Sequence, residues 1–180
     1  FSFIVIDDWG NETIKTVEIT NIDKNLPTIN VERDIDNTIF TNQSYNLNAT
    51  FTDNEFGIKK ITLPDNTILT FDLDETKLEN ALVLVSKNGS YTFSVEDFAG
   101  NITTKIIEVS NIDKLDPQQP TIEIDPIEID PDGPTNKEVT ITIIGTDAVA
   151  NDEYAESGID YIKDLQDYQT YSGSSHDFVV

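Results

Sequence analysis

The sequence predicts an all-β protein made of Greek-key sandwiches of about 90 residues in tandem, and three observations lead there. Of its 180 residues, 24 are Ile, 21 Thr and 11 Val, with no Met, and β-branched side chains suit a pleated surface. Period-2 alternation is clean at Tyr45, Leu47, Ala49 and Phe51, with Asn46, Asn48 and Thr50 between them. Most of the sequence also recurs within itself.

Residues 27–119 hold one complete repeat, in which strands are predicted at 29–32, 45–51, 58–63, 67–72, 81–85, 91–96 and 102–109. Turn chemistry separates them: Pro64-Asp65-Asn66 and Lys87-Asn88-Gly89 are expected to close hairpins, and Ala99-Gly100-Asn101 lies between the last two strands. Seven short strands in this length suggest a Greek-key sandwich. Val139, Ile141 and Ile143 repeat the alternation further along.

The segment from Phe3 to Lys24 matches Phe93 to Lys114 at 12 of 22 positions, including Asp7/Asp97, Gly10-Asn11/Gly100-Asn101 and the Asn-Ile-Asp-Lys run that begins at Asn21 and at Asn111. Downstream, Pro27-Thr28-Ile29 pairs with Pro120-Thr121-Ile122, Thr52-Asp53 with Thr146-Asp147, and, after an insertion at 148–157, Gly57-Ile58 with Gly158-Ile159. Residues 1–26 therefore correspond to the last strands of a repeat, 27–119 to a whole one and 120–180 to the first part of another. The two partial pieces are complementary, and pairing between them, in cis or head to tail between molecules, would cover strand edges left open. The first residue is Phe1, in a strand-like run with no initiator Met or charged leader, so a piece of a longer protein is expected.

Asp97-Phe98-Ala99-Gly100-Asn101, the exit Val109-Ser110-Asn111-Ile112-Asp113-Lys114, the entry Pro120-Thr121-Ile122 and the internal Gly57-Ile58-Lys59 together resemble bacterial immunoglobulin-like (Big-type) repeats. The resemblance covers essentially the whole chain. It implies an immunoglobulin-like Greek-key β-sandwich, tandem neighbours of the same kind, and a secreted or cell-wall-attached bacterial surface protein. There such repeats act as stalks, spacers or adhesive modules. The match departs from the immunoglobulin pattern in having no Cys pair and in placing the sole Trp, Trp9, in a turn. A host-protein or glycan-binding module, and an accessory domain of a secreted hydrolase, are the alternatives.

Composition narrows the function classes. Thirty-four acidic against 11 basic residues give a net charge of −23, which argues against nucleic-acid or anionic-membrane partners and keeps a repeat array extended and soluble. No apolar run approaches the roughly 20 residues that span a bilayer. Without Cys there is no disulfide, thiolate site or Cys nucleophile, and the single His, His176, sits among Ser174, Ser175 and Asp177 as a polar tail rather than a triad. No catalytic residue and no cofactor other than a cation is expected. Five Asn-x-Ser/Thr sequons reflect an Asn- and Thr-rich composition.

Two kinds of candidate site remain. Asp23, Asp113 and Asp116, in the polar junctions, carry the oxygen donors that Ca²⁺ takes, and an interdomain ion would stiffen a rod. The acidic stretch with Glu128, Asp130 and Asp132 is a further Ca²⁺ candidate but not an EF-hand, because Val139 falls where the bidentate Glu belongs. Trp9, beside Asp8, is the candidate ligand contact, together with the insertion at 148–157, since aromatics and variable loops serve binding surfaces. The repeated Asp7/Asp97 and Gly-Asn pairs read as turn formers.

Overall fold

A computed structural model describes residues 1–73, 78–125, 138–164 and 169–179. Every regular element among them is a strand: β1 (Ser2–Ile6), β2 (Glu12–Thr16), β3 (Thr28–Arg33), β4 (Tyr45–Thr52), β5 (Ile58–Thr62), β6 (Ile68–Thr70), β7 (Leu78–Val85), β8 (Gly89–Asp97), β9 (Ile102–Val109), β10 (Thr121–Asp125), β11 (Thr140–Ile144), β12 (Tyr161–Lys163), β13 (Thr170–Ser172) and β14 (Ser175–Val179). They form five sheets, ordered β1-β2, β3-β4-β7, β6-β5-β8-β9, β10-β11-β14 and β12-β13. The fold is all-β with several antiparallel sheets, consistent with a β-sandwich. All seven strands expected between 27 and 119 are present, and β9 has the expected bounds.

The chain divides into two compact units, one of Phe1–Glu32, Asn48–Val83 and Thr92–Ile106, the other of Arg33–Leu47, Leu84–Tyr91 and Ile107–Val180. In the first, the inward residues of β4, β5 and β8 form the core: Ala49, Phe51, Ile58, Ile61, Phe93 and Val95 are buried. The Phe51 and Phe93 rings, from two different sheets, meet with centroids 6.3 Å apart and planes tilted by 50°. The β1–β2 hairpin also belongs to this unit, and every residue of it is exposed.

A bulge at Ile58/Lys60 interrupts the pairing of β5 with β8. It inserts one residue and breaks the alternation, so Lys59 and Lys60 both reach Glu96. The two ammonium groups, Lys59 first, hold the Glu96 carboxyl below its usual range.

In the second unit Tyr45, Leu47, Val85, Val109 and Ile112 are buried around Asn111. The Asn111 amide makes three bonds: Oδ1 accepts from the Tyr45 hydroxyl at 2.9 Å, and Nδ2 donates to the carbonyls of Asp36 (3.1 Å) and Ile39 (2.8 Å). Burial pushes the Tyr45 hydroxyl pKa up. A parallel bridge between Thr41 and Ile112 secures the same exit segment.

Two local expectations change. Lys87-Asn88-Gly89 does not close a hairpin, because β7 and β8 lie in different sheets. The Asn88 side chain instead grips the backbone of Ile112, donating to its carbonyl (2.9 Å) and accepting from its N–H (2.9 Å), and such a clamp fixes a crossing. His176 is not in a polar tail; it lies on β14, paired with Ile143 of β11, and its ring stacks on Tyr171 at 3.7 Å.

Candidate functional site

Three aspartates from distant parts of the sequence converge inside the first unit. One carboxylate oxygen from each of Asp23, Asp53 and Asp97 lies within 4.8 Å of the other two. All three residues are buried, retaining 9 %, 4 % and 0 % of their accessible surface.

Strand parity puts two of them there. Tyr45, Leu47, Ala49 and Phe51 point inward along β4, and Asp53 follows in the same parity just past the strand end; Phe93, Val95 and Asp97 do the same on β8. Local turns then hold each carboxylate. Asp97 Oδ1 accepts the Asn101 N–H and Oδ2 the Asn101 side-chain amide, each at 2.8 Å, while Gly100 closes the turn at φ +92°. Asp53 Oδ1 accepts the N–H groups of Gly57 (2.7 Å) and Glu55 (3.2 Å), with Gly57 at φ +86°. Asp23 Oδ1 accepts the Asn25 N–H at 2.8 Å, whereas no donor among the described residues reaches its buried Oδ2. Beside the triad, Asn25, Leu26, Thr28, Thr52, Asp53, Asn54 and Glu55 line a depression of about 300 Å³.

A related arrangement occurs within the second unit. Asp147 Oδ2 accepts from Gly158 (2.6 Å) and Ser157 (3.1 Å), Gly158 has φ +86°, and Asp113 accepts from Leu115 (3.0 Å) and Ser157 (3.0 Å). Both aspartates are buried and border a second depression of about 300 Å³, with the exposed Asp116 on its rim. Asp23 and Asp113, expected as ion ligands in polar junctions, are both buried, and of the two only Asp23 joins a three-carboxylate group among the described residues. Glu128, Asp130 and Asp132 lie outside the described residues. Asp53, Asp97 and Asp147 were missed as site residues, because each also satisfies a turn; the available signal was an inward alternation ending in Asp, recurring at the repeat spacing.

Asp7 has the Asp97 turn in an exposed setting. Its Oδ1 accepts the Asn11 N–H (2.8 Å), its Oδ2 the Asn11 amide (2.7 Å), and these bonds, the side-chain one first, hold its carboxyl below the usual range. Trp9, at the tip of this hairpin, keeps 92 % of its surface accessible.

The insertion at 148–157 is engaged instead of free. Its Ala155 N–H donates to the Ile112 carbonyl (2.7 Å), its Glu153 carbonyl accepts from Asn88 N–H (2.7 Å), and the Glu153 carboxylate pairs with Lys87 at 2.7 Å. No family model, no curated protein and no solved structure matches this chain.

Proposed function

We propose that this chain is a non-catalytic, immunoglobulin-like repeat region of an extracellular bacterial surface protein, serving as a spacer, stalk or adhesive module. The observation that carries the proposal is the recurrence of strand pairing along the chain. The order β10-β11-β14 parallels β3-β4-β7, and β12 pairs β13 through Tyr161↔Ser172, Ile162↔Tyr171 and Lys163↔Thr170 as β5 pairs β6 through Lys60↔Thr70, Ile61↔Leu69 and Thr62↔Ile68. The counterparts of β8 and β9 are then β1 and β2. Phe93 and Val95 are fully buried, whereas their equivalents Phe3 and Val5 are 60 % and 69 % exposed, as befits strands whose partner sheet is another repeat. The Tyr91 hydroxyl bonds back to the Lys87 carbonyl at 2.8 Å where the chain changes sheets, a corner familiar from Greek-key sandwiches.

A spacer needs stiff junctions and an inert surface. The insertion supplies bonds to Asn88 and Ile112 at such a junction, and the net charge of −23 opposes nonspecific aggregation. Neighbouring repeats are the partners this role requires. Screening the 180-residue chain against glycans and host-surface proteins tests the role: a spacer gives no saturable binding. The exposed Trp9 favours one other reading, a host-protein or glycan contact at the hairpin tip. Saturable binding that is lost on Trp9→Ala would replace the spacer with that module.

A further inference from the structure

We propose that Asp23, Asp53 and Asp97 form a binding site for Ca²⁺, an inference that does not depend on the spacer role. Three carboxylates from separate segments are held within 4.8 Å of one another in the interior. Like charges at such range repel strongly where water is excluded, so a bound cation would stabilise the arrangement. A second, independent observation points to the same place. Asp23 is nine-tenths buried, yet its Oδ2 meets no donor among the described residues. A buried carboxylate oxygen without a partner costs stability unless a ligand satisfies it.

The donors select the ion. The cluster offers carboxylate oxygens alone, and the chain has no Cys, which favours a hard cation over zinc or copper. Ca²⁺ accepts six to eight oxygens in irregular geometry, whereas Mg²⁺ demands a near-ideal octahedron; ligands contributed by three independent turns suit the former. The fixed turns also explain how the site survives without the ion. Asp97 and Asp53 each spend lone pairs on backbone N–H groups, and those bonds orient the remaining lone pairs. Bound Ca²⁺ would tie the segment ahead of β3, the loop after β4 and the turn after β8 to one point.

The test is calorimetric titration of the 180-residue chain with CaCl₂, paired with thermal unfolding in Ca²⁺ and in EGTA. The wild-type chain is expected to bind with a Kd at or below about 1 mM, the range of extracellular calcium modules, and to melt at higher temperature in Ca²⁺. Asp23→Asn is the informative variant, since its Oδ2 does nothing for the ion-free fold. It is expected to melt no lower than wild type in EGTA while losing most of the Ca²⁺-dependent rise. Asp97→Asn, which keeps one of the two oxygens that accept from Asn101, is expected to weaken binding at least about tenfold, and Glu18→Gln, an exposed charge change, to leave it intact. Absence of heat and of any thermal shift up to about 10 mM Ca²⁺ in the folded chain overturns the proposal. So does a rise that persists unchanged in both Asp23→Asn and Asp97→Asn.

Discussion

Asp7 and Asp97 form the same turn with the same Asn partner, and their difference shows what a residue's neighbours in sequence can and cannot determine. The turn is local, so both copies were legible from Asp, Gly and Asn at fixed offsets. Burial of Asp97 against Asp23 and Asp53 is not local, because those three come from positions 30 to 74 residues apart and meet only when strands pair. A direct check of the local part is NMR titration of the Asp7 carboxyl. Its pKa lies below the ordinary Asp value, and Asn11→Ala is expected to raise it, since the Asn11 side-chain amide is the leading cause. The sign for stability follows: a depressed folded pKa contributes stability that is fully present above the unfolded value of about 3.9 and lost as pH falls through the folded one. An unchanged pKa in Asn11→Ala would remove the turn's electrostatic role.

Among elements, alternation made the strands readable and left their connections ambiguous. The Tyr45–Thr52 strand buries every second residue as its sequence foretold, whereas Lys87-Asn88-Gly89 has hairpin chemistry but joins two sheets. What decides the second case is the Asn88 clamp on Ile112, a contact across 24 residues that no local signal encodes. Asn88→Ala leaves the buried Ile112 N–H without its acceptor, while the Ile112 carbonyl keeps the Ala155 donor, and is expected to cost roughly 1 to 3 kcal/mol in urea unfolding. Phe51→Ala, which empties the contact with Phe93 between the sheets, is expected to cost about 3 to 5 kcal/mol in the same assay. The Lys87–Glu153 pair is exposed on both sides, so Glu153→Gln is expected to change stability by less than about 1 kcal/mol.

At the scale of the whole molecule, the internal recurrence of the sequence was legible because identical turns and junctions return, and the repeat reading proposed above takes its register from the pairing of β5 with β6 and β8. Carrying that register over, β12 should pair with a β1-type strand as Tyr161↔Ile6, Ile162↔Val5 and Lys163↔Ile4, the counterparts of Lys60↔Glu96, Ile61↔Val95 and Thr62↔Ser94. The same pairing would bring an Asp7-type carboxylate to the position beside Asp113 and Asp147 that Asp97 holds beside Asp23 and Asp53. The most direct measurement exploits the absence of Cys. In the doubly substituted chain Ile6→Cys/Tyr161→Cys, the matched positions would bring the Cα atoms to the roughly 4.4 to 6.8 Å that a disulfide spans. In Ile6→Cys/Ile162→Cys, a one-residue slip puts the thiols on opposite faces. Mild oxidation, read by non-reducing electrophoresis and mass spectrometry, is expected to give disulfide-linked multimers or circularised monomers from the first variant and not from the second. Equal cross-linking in both, or none in either, would contradict the pairing of the two partial pieces.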